Sequence, residues 1–513
     1  MSGFVRRGEQ LREDVVERCD VCIIGSGAGG AMLAAGLTEK GLDVVMIEEG
    51  GWHTRRDFTL REGDAYPMLY QDGGARASAD LAITVLQGRS VGGSTTVNWT
   101  TCFRTPDRIL AAWQRDHGIE GLDAQTLAPH FDAVEARLNI APWPEEQANA
   151  NNRALLEGAR ALGWEATALR RNVKGCANSG YCSMGCPVDG KQGMAVTTIP
   201  DALSRGMRLY SDVRAERLVT EGGRVQRVEA SVMVPRSAHT TGVRVTIEAR
   251  TVALCGGAIN SPALLLRSGI NPNGRVGKRT FLHPVIAVVG RYPGLIEGYR
   301  GAPQSVGSHQ FIDRGADKMG FFVETGPVHP MLATLATADF GDPLGAFMPQ
   351  LPHVGALLAL HVDGLLPGDE GGEVSLRPDG RIRLDYPVQP ALVEAMQASH
   401  KVLAQITLKA GAEFARTGHL DPVVLRSEAD LPLLDAVPYG AHKHGIFTAH
   451  QMGGCAMGAD PARSVVGVDH RHHTVGNLFV VDGSVLPTAL GVNPSETVYA
   501  LAHRAVESVA ASV

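Results

Sequence analysis

Nowhere does this 513-residue chain run apolar for the roughly eighteen residues that a bilayer-crossing helix needs. Its greasiest region, 344–366, is broken by Pro349, Pro352, His353, His361 and Asp363, so no membrane-spanning segment is expected. The N-terminal stretch lacks the apolar core of a secretory signal, and Arg6-Arg7 without that core is not a twin-arginine leader. A cytoplasmic location is the expectation. Charge of one sign is nowhere concentrated, and the formal net charge is only −6. That excludes the basic footprint of a nucleic-acid binder or of a membrane-surface protein. Eight cysteines are too few for a disulfide framework in so long a chain. Internal repeats and low-complexity linkers are missing as well.

What remains is a globular composition, 44% hydrophobic and 20% charged, on a chain long enough for two or three domains and a buried cofactor. Glycine is abundant, with 61 residues, many in short clusters where backbone must approach a ligand or take positive φ. The apolar run Cys19–Ile24 meets Gly25-Ser26-Gly27-Ala28-Gly29-Gly30. A small-residue helix over Ala31–Lys40 follows, closed by Gly41, and then a strand over Leu42–Ile47 ends at Glu48. In this unit Gly25 makes the tight turn, Gly27 lets backbone reach a pyrophosphate, and Gly30 permits close packing of helix on strand. Glu48, 23 positions after Gly25, is placed to accept hydrogen bonds from ribose hydroxyls. An adenosine diphosphate group is implied, and at this point NAD and FAD fit equally. Cys19 and Cys22 lie within the first strand and read as core thiols.

A second glycine loop, Q-G-R-S-V-G-G-S-T-T-V-N at 87–98, can cradle an anion or a ring. The periodicity predicts a packed helix over Arg153–Leu162, strands over Arg217–Val232 and Gly242–Cys255, and a hairpin over Glu373–Tyr386 around Pro378-Asp379-Gly380.

Four segments in order, the N-terminal unit, G-R-S-V-G-G-S (88–94), G-G-A-I-N-S-P (256–262) and a C-terminal block, resemble the glucose-methanol-choline (GMC) oxidoreductase family across nearly the whole chain. The block comprises His450-Gln451-Met452-Gly453-Gly454-Cys455, N-L-F-V-V-D ending at Asp482, Gly483-Ser484 and Gly491-Val492-Asn493-Pro494. The cysteine loop C-A-N-S-G-Y-C-S-M-G-C-P (176–187) is most similar to the branch containing long-chain alcohol oxidases, and an asparagine at 493 also occurs in cholesterol oxidase-like members. Ala456, where many relatives have arginine, departs from the pattern. The resemblance implies an α/β fold: a discontinuous Rossmann-like FAD-binding domain (1–110, 200–285 and 441–513) and a substrate or cap region (111–199 and 286–440) with an antiparallel β-sheet. It places Gly25, Gly27, Gly30 and Glu48 on the adenosine diphosphate half of FAD and Gly92, Gly93, Ser94 and Asn98 near the flavin. Val213 falls near the adenine, and Asp482, Gly483, Asn493 and Pro494 beside the ribityl chain and ring. His450 and Asn493 fall at the catalytic positions.

Alcohol oxidation needs a group that takes the hydroxyl proton and an acceptor for hydride. A neutral histidine suits the first task, and a positioned amide fixes the oxygen. The expectation is oxidation of a largely apolar primary alcohol by FAD, with oxygen, a quinone or a protein as electron acceptor. Two other chemistries of the same family, hydroxynitrile cleavage and light-driven fatty-acid decarboxylation, stay open, as does a flavin-binding module without catalysis. Asn493-Pro494-Ser495-Glu496 also reads as a helix start with Asn493 as cap and Glu496 closing a capping box. Cys176, Cys182 and Cys186 approach the ferredoxin ligand run, but Ser179 replaces one cysteine. They read as an ordered loop, with a three-thiolate iron–sulfur cluster as the alternative. His470-Arg471-His472-His473 reads as a solvated turn, and no metal is assigned.

Overall fold

The computed structural model describes residues 3–337 and 339–513. Its first sheet runs, from edge to edge, Phe4–Arg6, Arg208–Ser211, Val44–Glu48, Val15–Ile24, Thr240–Leu254, Arg224–Met233 and Val213–Glu221. The pairs from Phe4–Arg6 through Thr240–Leu254 are parallel, and the last two strands add an antiparallel hairpin. The long Thr240–Leu254 strand divides its outer edge. Its first half pairs with the hairpin and its last three residues pair in parallel with Leu478–Val480. The apolar runs are buried on both faces, as parallel strands require. Val21, Ile23, Val44 and Met46 face one hydrophobic cluster while Cys22, Ile24, Val45 and Ile47 face another. The helices Ala28–Glu39 and Ser495–Ala510 cover the first of these faces. Gly36 makes their contact close: a Cβ there would lie 2.5 Å from Val506.

The second sheet is mainly antiparallel, in the order Val424–Leu425, Phe414–Thr417, Val285–Arg291, Val354–His361, Phe321–Thr325, Val306–Ser308 and Thr167–Ala168. Ile446–Thr448 joins it beside Val285 and carries Ile83–Val85 in parallel. Period-two alternation gives the sheet two unlike faces. Ile286, Val288, Leu357, Ala359, Phe321 and Val323 pack in one cluster with residues of the helices Ala150–Ala161 and Pro390–Lys409. Val285, Phe322, Leu358 and Leu360 form a separate cluster on the opposite face. The apolar segment 344–366 therefore supplies both core and cavity wall.

The predicted elements appear with shifted ends. The first strand is Val15–Ile24, its helix Ala28–Glu39 and the next strand Val44–Glu48. The 153–162 helix is Ala150–Ala161, and the 373–386 hairpin is Gly372–Leu376 with Ile382–Asp385. The 470–473 reading is overturned: His470 and His472 are 0% and 3% exposed. Their ring Nδ1 atoms pair with the Val480 carbonyl and accept from the Val475 N–H, and Arg471 lies over Phe479. The His470 ring and the Arg471 guanidinium tie the loop to Val480 and Phe479, the His472 ring is turned inward within the loop, and of the four only Arg471 and His473 keep part of their side chains in water. Among the described residues no helix is long and apolar enough to cross a membrane.

Candidate active site

The carboxyl ends of the parallel strands and the open face of the second sheet enclose a cavity of about 1360 Å³. At one end the turn after Val15–Ile24 brings Gly25, Gly27 and the start of the helix to its wall, with Glu48 and Val213 beside them. Gly25 has φ +102°, and a Cβ there would come within 2.4 Å of the Cys255 carbonyl. Gly30 does not line the cavity. It lies behind the turn, where a Cβ would stand 2.0 Å from the Gly25 carbonyl. At Gly27, by contrast, an added Cβ would meet nothing nearer than the Gly93 Cα at 3.8 Å. A Cβ at Gly93 would stand 2.7 Å from the Gly27 Cα, so the two glycine loops touch backbone to backbone and the cavity opens beside their contact.

Glu48 is buried and anchors both loops: its Oε2 accepts from the Ser26 N–H at 3.0 Å and the Ser26 hydroxyl at 2.6 Å, and that hydroxyl accepts from the Gly92 N–H. Gly92 itself, at φ +93°, shapes the second loop from behind, whereas Gly93, Ser94 and Asn98 reach the cavity. The Asn98 carbonyl oxygen Oδ1 is buried without a protein partner. Asp482 and Gly483 also line the wall, but the Asp482 carboxylate is already engaged. It accepts from the Gly257 N–H and the Ser261 hydroxyl on one oxygen and from the Ser484 N–H and hydroxyl on the other. It closes the start of the Gly257–Arg267 helix, where the dipole favours a negative charge.

At the other end His450 and Asn493 meet. The Asn493 Nδ2 donates to His450 Nε2 at 3.3 Å and to Glu324 Oε1 at 3.4 Å, and the Asn493 Oδ1 has no protein partner. Asn493 does not cap the C-terminal helix. That helix begins at Ser495 after Pro494, and no side chain caps it. The capping reading fails because the amide is turned to the cavity, while Glu496 is buried instead of reaching back. Burial without a countercharge lowers the His450 pKa to about 4, so the ring is neutral near pH 7.

Glu324 was not legible as a site residue. It lies on the Phe321–Thr325 strand, 1% exposed, accepts from Gln304 Nε2 at 2.6 Å, and has no protein partner on Oε2. Burial pushes its pKa up to about 8, so at neutrality it is a carboxylic acid. The one available signal was a lone carboxylate inside the apolar strand F-F-V-E-T, on the alternation that faces the cavity. Lys191 is a second omission. Its ammonium donates to the carbonyls of Thr96, Asn98 and Cys182, which pins the cysteine loop to the second glycine loop. Cys176, Cys182 and Cys186 are half-buried free thiols. Among the described residues no three His, Cys, Asp or Glu side chains form a metal-holding group. Cys19 and Cys22 are core thiols whose pKa values burial raises, that of Cys19 to about 12.

A cavity that runs from a dinucleotide turn, along a helix start, to a histidine–asparagine pair beneath an antiparallel sheet suits a dinucleotide-dependent oxidoreductase. GMC oxidoreductase family models match residues 66–285 and 367–502, and an FAD binding domain model matches residues 18–57. The chain is 31% identical to an uncharacterised GMC-type oxidoreductase of Mycobacterium tuberculosis over 97% of its own length and 77% of the relative's. It is 28% identical to a long-chain-alcohol oxidase of Arabidopsis thaliana over 97% of this chain and 69% of that one. The crystal structure of a pyridoxine 4-oxidase superposes with TM-score 0.72 at 21% identity, covering 95% of this chain and 98% of that one. The chain belongs to the GMC oxidoreductase family, and its cofactor is FAD. The open space beside Gly27 and the partnerless amide oxygen of Asn98 fit such a group.

Proposed function

We propose that the protein oxidises a largely apolar primary alcohol to the aldehyde, with His450 as the base. The observation that carries this reading is the junction of two environments at one place. The neutral imidazole and the amide of Asn493 stand next to a wall built from Val285, Leu358, Leu360 and Phe447. A hydroxyl group entering there takes the place of the Asn493 N–H on the lone pair of His450 Nε2 and finds hydrogen-bonding atoms in Asn493, while the carbon chain lies against aliphatic and aromatic surface. Asn493 orients the oxygen, and neutral Glu324 keeps a carboxylate's charge out of the substrate end. Bound FAD supplies the hydride acceptor. In this reading Gly25, Gly27 and Glu48 hold the adenosine diphosphate half with Val213 at the adenine, and Gly93, Ser94, Asn98, Gly483 and Pro494 hold the ring end. The substrate named for the Arabidopsis relative, a long-chain alcohol, is of the same apolar class.

The test is an anaerobic panel of 1-hexanol, 1-dodecanol, benzyl alcohol and glucose, followed at the oxidised-flavin band, with air admitted afterwards. Bleaching by the apolar alcohols and weak response to glucose supports the reading. A flavin reduced by glucose alone, or by none of the four in the dark, overturns it. The return of colour in air separates oxygen from a quinone or protein as the electron acceptor.

A further inference from the structure

We propose that His283 is the positioning residue that fixes the tautomer of His450 and so leaves the lone pair on its cavity-facing Nε2, which accepts from Asn493 until a substrate hydroxyl takes that place. The inference rests on the reading of His450 as the base. His283 is completely buried, and its Nδ1 lies 3.2 Å from the Nδ1 of His450. Of two imidazole nitrogens that close, one must donate and the other accept. Asn493 decides which: its two amide hydrogens go to Glu324 Oε1 and His450 Nε2, so His450 Nε2 accepts. The proton of neutral His450 then sits on Nδ1 and is donated to His283 Nδ1. The opposite arrangement would set the Nε2–H of His450 against an amide N–H and leave the base without a lone pair in the cavity. His283 Nε2 has no partner under either arrangement, so that cost does not choose between them.

The backbone holds the two rings in this relation. His283 is in the left-handed region at φ +50°, where a non-glycine residue needs support. Asp363 gives it, accepting from the N–H groups of both Leu282 and His283. Thr448 ties the two segments, donating its hydroxyl to the Leu282 carbonyl and accepting from the His450 N–H. Burial is the main opponent of a positive charge on His283, and the charged and titratable groups that face it, His450, His361 and Arg108, add to that opposition, while Asp363 lies at its backbone. His283 therefore stays a neutral acceptor while His450 gains and loses a proton at Nε2.

In protein labelled with ¹⁵N-histidine, imidazole spectra read the tautomer without any substrate, and the His450→Ala difference spectrum assigns His450. A proton on Nδ1 of His450 is expected, and a proton on Nε2 overturns the proposal. In stopped-flow reduction by whichever panel alcohol bleaches the flavin fastest, His283→Ala should lower the limiting rate by roughly 10²- to 10⁴-fold with little change in the substrate dependence, the range expected when a general base is held in the wrong tautomer. His283→Asn should recover most of that loss, because its Oδ1 accepts in place of Nδ1 and asparagine tolerates a left-handed backbone. Equal losses in both variants, or none in either, overturn the proposal. Normal reduction in folded His450→Ala would instead remove the base reading beneath it, whereas a slow His450→Ala with an unaffected His283→Ala removes only this inference.

Discussion

Desolvation and not an ion pair governs the buried carboxyl groups of Glu324, Glu496 and Asp363: burial pushes Glu324 and Glu496 to about 8 and Asp363 to about 7. Between its unfolded and folded pKa values such a group binds more protons in the folded state. Its contribution to stability is full below the usual carboxylate range near 4.5 and is lost as pH rises towards 8. Glu324→Gln mimics the neutral acid and should escape that loss. The melting temperature of the variant should therefore gain on wild type between pH 5 and about pH 8 and level off above it, and parallel curves across that range would contradict the raised pKa. Asn493 allows a second residue-level prediction. Asn493→Asp sets a carboxylate beside neutral Glu324 and removes the N–H that His450 Nε2 accepts, so an uncompensated negative charge at the site, which disfavours electron-rich reduced flavin, adds to lost positioning. Flavin reduction should be slower than in Asn493→Ala by about tenfold or more, as read by anaerobic stopped flow at matched flavin content. Equal rates would show that only positioning is lost.

At the scale of elements, the glycine turn separates folding from cofactor binding. Gly30 and Gly27 belong to one motif, yet a Cβ at Gly30 would press 2.0 Å from the Gly25 carbonyl whereas a Cβ at Gly27 meets only Gly93 at 3.8 Å. Gly30→Ala must push the helix off its strand, a strain of roughly 1–3 kcal/mol, and should lower the melting temperature of the apoprotein itself. Gly27→Ala should leave apoprotein melting within about a degree of wild type while weakening FAD binding at least about tenfold, because its methyl enters space the pyrophosphate needs. Flavin titration and differential scanning of both apoproteins check the pair. A Gly27→Ala protein that binds FAD normally would move the phosphates elsewhere in the cavity. The C-terminal helix shows the same economy in another form. Its buried face carries Val498, Leu501, Ala502 and Ala505 against the first sheet's layers, while Asn493, just before it, is given to the site and not to a cap.

In the whole molecule the cofactor cavity is where the two sheets meet, with the glycine turn on one side and the strand bearing Glu324 on the other. A ligand bound in this cavity of about 1360 Å³ stabilises the folded protein and not the unfolded chain. Removing FAD should therefore lower the melting temperature, and each tenfold excess of free FAD over its Kd should return about 1.4 kcal/mol. The expected result is a melting temperature that climbs with FAD concentration when apoprotein is titrated. A value independent of FAD would mean that melting begins in a part of the molecule that does not feel the cofactor.

The strand, glycine turn, helix, strand and Glu48 of the dinucleotide unit were legible because each depends on neighbours in sequence: apolar runs, positive-φ glycines and a fixed spacing to the carboxylate. The resemblance of four ordered segments carried the choice of FAD over NAD and the selection of His450 and Asn493. Sequence did not disclose that Glu324, Gln304 and His283 stand around that pair, since strand pairing and not chain proximity brings them there. In an antiparallel sheet the register decides which alternate residues face the cavity, so Glu324 reads as one polar interruption until Phe321–Thr325 is set against Val354–His361. The same cause lies behind the two corrected readings. Asn493 suits a cap and His470–His473 suit a turn by local rules, but buried hydrogen-bonding groups at a distance compete for those side chains, and in the folded protein the buried partners win.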